Sequence, residues 1–248
     1  MLKHFLGNNR LLSYFSLVIL LCLFFVEIYY ASPYAATWDQ VDFALALDRY
    51  DLLAMQPHFP GYPYFVLGGM FIRTFVDNPA KALSVFNIVT LFSATIPIVL
   101  LLKKHFSTSM SLFISALLQS ASYIMVIAGQ PMSDGAALAV LWWYFWSIEL
   151  ARKRDAWWIQ LLPLALFSLL MGIRLSYAPF AVAILFLWYE DWKKNRSAFR
   201  IGCFLTSAAF FQFIWIAAVA ATEGSFQSFF KLALSFTSGH FKEWGERR

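Results

Sequence analysis

Charged residues are scarce in this chain. Asp, Glu, Lys and Arg make up 13% of its 248 residues, whereas 60% are hydrophobic and the mean hydropathy is +0.63. Soluble domains carry roughly 25% charged residues, so this composition excludes a water-soluble protein. Apolar runs of about twenty residues recur along the chain, and each is long enough to cross a hydrocarbon core of roughly 30 Å. The sequence therefore predicts an integral membrane protein.

Cysteines and the motifs of soluble enzymes are also few or missing. Cys22 and Cys203 both lie in apolar runs without metal-ligand spacing, so they indicate packing or lipid-facing positions. The sequence contains no phosphate-binding loop, dinucleotide fingerprint, zinc spacing or nucleophile elbow, which excludes soluble nucleotide chemistry. No repeat or linker divides the chain, and we expect a single membrane domain over residues 1–248.

Basic residues account for the net charge of +5 and the pI near 9.2. They cluster at the ends of the apolar runs, as the positive-inside rule predicts, so we interpret the basicity as topology and expect no nucleic-acid partner. The first run, residues 11–30, is too long for a signal-peptide core and is predicted to be a retained anchor with a cytoplasmic N-terminus.

The apolar run at residues 62–75 decides the rest of the topology. Only about fourteen residues long, it has the usual length of an interfacial or re-entrant segment, and every basic cluster falls in the cytoplasm if it does not cross. We therefore predict an all-α polytopic protein of the plasma membrane with about seven transmembrane helices, whose first outer loop, residues 31–81, contains interfacial helices, one of them at residues 41–55. The predicted spans are residues 11–30, 82–102, 110–128, 136–151, 157–172, 175–189 and 201–221, followed by an outer tail at 222–248.

Residues 38–63 form a polar island behind the first span and hold four of the 14 acidic residues. Asp39 and Asp42 are three positions apart, so on a helix both carboxylates face the same side and can activate a hydroxyl as a general base. The alternative is that acidic residues in an outer loop are solvated topology signals, which is the favoured interpretation for Asp48 and Asp51.

A rigid turn follows at residues 56–63, where three prolines and one glycine fix the backbone around His58 and Tyr62. This turn predicts a defined position for His58, either as a substrate contact or as a structural hydrogen-bonding residue. Asp134 stands at the end of a predicted span, where it either caps the next helix or contacts a substrate or metal on the same face.

Arg174 interrupts an otherwise apolar stretch from residue 159 to residue 189. A guanidinium at the outer membrane boundary is suited to bidentate binding of a lipid phosphate, although snorkelling at a hairpin tip is the alternative. His240 lies in the outer tail among aromatic residues and is a further candidate for substrate binding.

The order of these features resembles the GT-C class of integral membrane glycosyltransferases. The Trp-Asp-Gln-Val-Asp sequence at residues 38–42, followed by the His-containing Pro-Gly-Tyr-Pro turn at residues 58–63, is similar to the acidic pair and turn of the O-mannosyltransferase-like branch. The likeness to protein O-mannosyltransferases and to the aminoarabinose transferases of lipid A is more distant. The motif covers only residues 38–63, whereas the architectural likeness covers most of the chain.

This resemblance implies sugar transfer from a polyprenyl-phosphate-linked donor to a lipid, glycan or protein acceptor on the extracytoplasmic face. Asp39 is then the base and Asp42 the second acidic residue, with His58, Tyr62, Asp134, Arg174 and His240 as substrate-binding candidates. A divalent metal is left open, because some members of the class use one and others do not. Members usually continue beyond the shared core, so the short C-terminal tail indicates a truncated product or fragment. A transporter or lipid flippase and a non-catalytic scaffold are the competing interpretations.

Overall fold

The computed structural model describes residues 9–222, 226–227 and 229–234. These residues confirm the predicted all-α class, because they form helices and contain no β-sheet. The α-helices are α1 (Arg10–Tyr30), α2 (Trp38–Ala46), α3 (Pro63–Arg73), α4 (Pro79–Ser93), α5 (Thr95–Leu102), α6 (Thr108–Gln119), α7 (Ser122–Ala128), α8 (Asp134–Lys153), α9 (Trp157–Ile173), α10 (Val182–Asn195) and α11 (Ala198–Thr222). Two 3-10 segments occupy Leu52–Ala54 and Leu175–Ala181.

Three helical segments of the described chain are long and apolar enough to cross a membrane. They are Arg10–Tyr30, Pro79–Leu102 and Ala198–Thr222, and the bent pair α6–α7 makes a fourth if it is counted as one span. The chain therefore has the composition of a membrane protein with three or four candidate crossings by length and hydropathy. The larger number predicted from the sequence also counts α8, α9 and the segment at 175–189.

The central helix of the bundle is α8, which packs against α4, α5, α7, α9 and α10. Small residues on its first turns allow this close approach, since Ala136 and Ala137 are fully buried, and Tyr144 fills the middle of the helix. At about 1.5 Å per residue, its 20 residues extend for about 30 Å. One end of the bundle thus carries Asp134 and the other carries Lys153, and we call these the site end and the basic end.

Helix breaks occur where the backbone hydrogen bonds are interrupted. Pro97 lacks the N–H that would bond to the Ser93 carbonyl, and α4 accordingly gives way to α5 at Ala94. Between α6 and α7 the axis bends by 66°. After α9, Arg174 is extended and a 3-10 segment containing Pro179 precedes α10, so the predicted span at 175–189 is not one continuous α-helix.

The loop after α1 also differs in detail from its prediction. The helix predicted at residues 41–55 ends at Ala46, and a separate 3-10 turn follows, in which the Asp51 side chain accepts a hydrogen bond from the Ala54 N–H. Helix α3 has 11 residues, or about 16 Å, so this helix is too short to cross a bilayer alone.

Candidate active site

The first part of the site is the start of α2. Thr37 caps this helix by accepting a hydrogen bond from the Gln40 N–H at 3.4 Å, which places Asp39 in the first turn, where the helix dipole favours a negative charge. Asp42 follows one turn later on the same face. Asp39 is exposed and its carboxylate has no ion pair among the described residues, whereas Asp42 faces inward. The two carboxylates therefore differ in how accessible they are to a substrate.

His58 forms a relay between Asp42 and Tyr62. Its Nδ1 lies 3.3 Å from Asp42 Oδ2, and its Nε2 lies 3.0 Å from the Tyr62 hydroxyl. With the imidazole neutral, the bonds are satisfied together if Nδ1–H donates to the carboxylate and the hydroxyl donates to Nε2. The side chains of His58 and Asp42 are only 12% and 16% exposed. This carboxylate–imidazole–hydroxyl order can orient a proton acceptor in a partly dry pocket.

Phe43 packs against the rings of two relay residues, His58 and Tyr62. Its ring is fully buried and lies 5.3 Å from the His58 ring, 4.8 Å from the Tyr62 ring and 5.0 Å from the Phe65 ring. Tyr62 itself adopts a left-handed backbone conformation, with φ of 46°, at the start of α3. Such a conformation costs on the order of 1–3 kcal/mol for a residue other than glycine and occurs often at functional sites.

Arg174 and Asp134 form the second part of the site. Arg174 Nη1 lies 3.0 Å from Asp134 Oδ2 and donates to the buried Ser133 hydroxyl at 2.9 Å. The guanidinium thus joins the end of α9 to the start of α8, and both of these contacts are made by Nη1. A guanidinium has five N–H donors in total, so Arg174 has donors beyond those of Nη1.

Tyr62 links the two parts electrostatically. Burial raises the pKa of the Tyr62 hydroxyl, the charge of Arg174 opposes that rise, and the charges of Asp39 and Asp134 add to it. Burial likewise raises the pKa of the Asp42 carboxyl, which His58 lowers through its charge and hydrogen bond and Asp39 raises. The charges of both parts therefore act on the same hydroxyl.

Asn87 and Gln40 position the site, and sequence reasoning missed both. Asn87 is fully buried on α4; its Nδ2 donates to the carbonyls of Gln130 and Met132 at 2.8 and 2.7 Å, and its Oδ1 accepts from the Ala136 N–H at 2.9 Å. The buried Gln40 accepts from the Ala36 N–H at 2.7 Å. The signal available in the sequence was an amide in the middle of the apolar run at residues 82–102.

The structure brings four of the predicted site residues into one cluster, Asp39, Asp42, His58 and Tyr62, and pairs two others, Asp134 and Arg174. The charges of Asp39, Asp134 and Arg174 all act on the Tyr62 hydroxyl. Their catalytic and binding roles stay predictions. Asp134 is the first residue of α8 and pairs with Arg174. The N–H of Ala136, in the first turn of the same helix, donates to the Asn87 side chain. The capping role considered for Asp134 is therefore taken by Asn87. His240 lies outside the described residues.

Asp39, Asp42 and His58 also have the geometry of a small metal site. Each offers one ligand atom, and these atoms all lie within 4.8 Å of one another. Two carboxylates and an imidazole form a donor set that suits divalent ions such as Mn²⁺ or Zn²⁺. To bind through a ring nitrogen, His58 must give up its bond to Asp42 or to Tyr62.

In comparisons with known proteins, no family model, no curated protein and no solved structure matches the chain.

Proposed function

We propose that this chain is a membrane glycosyltransferase of the GT-C type. It transfers a sugar from a polyprenyl-phosphate-linked donor to a lipid, glycan or protein acceptor at the site end. The observation that carries this proposal is the cluster of an exposed carboxylate, Asp39, with a half-buried Asp42–His58–Tyr62 relay, on which the charge of the Arg174 guanidinium also acts. Acid–base groups beside a cation suit a reaction whose leaving group is a phosphate.

The acid–base part of the reaction falls to Asp39. Its carboxylate is exposed and takes the proton of the acceptor hydroxyl as that oxygen attacks the anomeric carbon. The bond from the anomeric carbon to the phosphate oxygen breaks on the opposite side, so the sugar is inverted and the polyprenyl phosphate leaves with the bonding electrons. Asp42 is held by His58 and shapes the pocket around the base.

Arg174 binds the phosphate of the donor in this proposal. Asp134 and Ser133 hold the guanidinium through Nη1, which fixes its plane and leaves other N–H donors for phosphate oxygens. Tyr62 and His58, which are hydrogen-bonded to each other, contact the sugar in this proposal. His240, in the tail, remains a further substrate-binding candidate.

A divalent metal fits the Asp39, Asp42 and His58 side chains. When bound, such an ion supplies charge neutralisation for the phosphate leaving group. A bound ion would take both carboxylates as ligands, so Asp39 would then not be free to act as the base. The metal dependence of activity therefore distinguishes a metal-assisted reaction from one in which Asp39 is a free base.

The topology that accompanies this function has about seven spans, with interfacial helices before α4, the basic end in the cytoplasm and the site end outside the plasma membrane. A lipid flippase or transporter would call for charges at mid-membrane depth. A scaffold would leave the candidate residues dispersed. The clustered site end favours the transferase over both.

The test is sugar transfer from a labelled polyprenyl-phosphate donor in membranes containing wild-type chain, Asp39→Asn or Asp48→Asn at matched expression. Asp48 is an exposed carboxylate on the same loop outside the cluster, so it is the matched control. We expect Asp39→Asn to lower the rate by about 10²–10⁴-fold and Asp48→Asn to leave it within about twofold. Equal rates for wild type and Asp39→Asn would overturn the assignment of the base, and absence of transfer by correctly inserted wild-type protein would overturn the proposed activity.

A further inference from the structure

The basic end of the bundle contains a cavity of about 120 Å³ between the α8–α9 loop and α10. One water needs roughly 10–15 Å³ of such space, so the cavity can hold a larger polar group. The buried Gln160 side chain keeps its wall in shape by donating to the Ala151 and Arg154 carbonyls at 2.7 and 2.8 Å. The cavity is therefore built into the turn between α8 and α9.

The acidic residues around this cavity are already neutralised. Arg152 makes a bidentate pair with Glu190, with N–O distances of 2.7 and 2.9 Å. Arg200 donates through Nε to both oxygens of Asp191 at 3.0 Å and also pairs with Asp155. These contacts leave little negative charge available to a ligand.

Two basic side chains that line the cavity, those of Lys194 and Arg154, have a long ion pair or none among the described residues. Lys194 has a long contact of 3.5 Å to Asp155, and its side chain is largely exposed. The Arg154 side chain has no ion pair among the residues that the structure describes. The surplus charge at the cavity is positive, and an anion is the ligand that it suits.

The position of the cavity at one end of the bundle indicates the class of anion that it binds. Trp157 and Trp158 are exposed on the first turn of α9, and Tyr189 and Trp192 are exposed on α10. Exposed Trp and Tyr rings at helix ends are typical of the membrane–water interface, where phospholipid phosphates lie. Basic pockets between helices on the cytoplasmic side bind anionic head groups.

We propose that this cavity, with Arg154 and Lys194 at its rim, binds the phosphate head group of an anionic phospholipid. The site lies about 30 Å along α8 from the candidate active site and does not depend on the proposed transferase activity. Its ligand is a constituent of the surrounding leaflet, which anchors the α8–α9 and α10–α11 connections to the membrane surface.

Native mass spectrometry of the full chain in detergent tests this site. The probes are phosphatidylglycerol, phosphatidylcholine of the same acyl length, and inorganic phosphate. We expect wild-type protein to prefer phosphatidylglycerol, and Arg154→Gln/Lys194→Gln to bind it about twentyfold more weakly, since each cation near an anionic surface contributes on the order of fivefold. Thermal unfolding without added lipid checks that the variant is folded.

The control is Arg10→Gln/Lys103→Gln, which removes the same charge from exposed positions at the start of α1 and the end of α5, outside the cavity. Its affinity for phosphatidylglycerol should stay within about twofold of wild type. An equal loss in this control would show a diffuse charge effect and overturn the site. Unchanged binding in the cavity variant, no preference over phosphatidylcholine, or equally tight binding of inorganic phosphate would each overturn it as well.

Discussion

The two ends of the bundle hold their charges in different ways. At the site end the His58 and Asp42 side chains are 12% and 16% exposed and rest on the buried Phe43 ring. At the basic end the Arg152 and Glu190 side chains are 41% and 35% exposed, and several ion pairs share a few acidic residues. Charges at the site end are few, whereas charges at the basic end are many and range from the buried Arg200–Asp191 pair to exposed pairs such as Arg152–Glu190.

We expect a difference of this kind between charges that serve topology and charges that serve chemistry. A hydrated ion pair contributes little because water competes for both partners, and one basic residue can replace another. A partly buried pair with a defined aromatic wall is sensitive to each atom around it. We therefore expect substitutions at the site end to have larger effects than matched substitutions elsewhere, and the following predictions test that expectation in order of size.

The largest effect is expected for Phe43→Ala. This ring is fully buried against His58, Tyr62 and Phe65, so its removal leaves a cavity and should lower the free energy of unfolding by about 3–5 kcal/mol. Thermal unfolding in detergent measures the change. Phe71→Ala is the matched control, because Phe71 is 64% exposed on α3 and its loss should cost less than about 1 kcal/mol. Similar losses for the two variants would contradict the packing assigned to Phe43.

Asn87→Ala should follow, with a loss of about 3 kcal/mol. The substitution leaves the Gln130 and Met132 carbonyls and the Ala136 N–H without their partner, and these groups hold the turn that carries Asp134. Asn78→Ala removes an amide from the exposed start of the same helix, where it caps the Lys81 N–H, and should cost about 1 kcal/mol. If the two asparagines prove equivalent in chemical or thermal unfolding, Asn87 does not organise the turn.

A third comparison sets Arg174→Gln against Arg152→Gln. The first leaves Asp134 without its cation in a half-buried setting and should lower stability by about 1.5 kcal/mol, with little dependence on salt. The second breaks an exposed pair and should cost about 0.5 kcal/mol at low salt and less at high salt. Unfolding of both variants at two ionic strengths measures the difference. If the loss of stability in Arg174→Gln depended strongly on salt, the Arg174–Asp134 pair would behave like the exposed Arg152–Glu190 pair of the basic end.

The all-α class and the clustering of residues in the loop after α1 could be predicted from the sequence for clear reasons. Hydropathy gave the apolar helices, and the spacing of Asp39 and Asp42 put both carboxylates on one face of α2. Arg174 was recognised because a charge inside an apolar run is costly.

The partners of these residues could not be predicted in the same way. That Arg174 bonds to Asp134 and Ser133 depends on how α8 and α9 pack, which no local pattern specifies. A single amide in an apolar helix is usually a tolerated polar residue. The role of Asn87 therefore depends on the turn that it binds, which the sequence alone does not specify. The seven-span count likewise depends on α8 and α9, whose length or hydropathy alone does not settle whether they cross.

The smallest effect is expected for Arg49→Gln, and it separates burial from location. Arg49 pairs with Asp51 in the same loop as the catalytic candidates, yet its side chain is largely exposed. If burial governs the contrast between the two ends, this variant should change the free energy of unfolding by at most about 0.3 kcal/mol. It should also leave transfer activity within about twofold, as measured beside Asp39→Asn. A loss as large as that of Arg174→Gln would mean that the whole loop after α1 acts as one electrostatic unit, and the contrast would then belong to the loop rather than to the half-buried cluster.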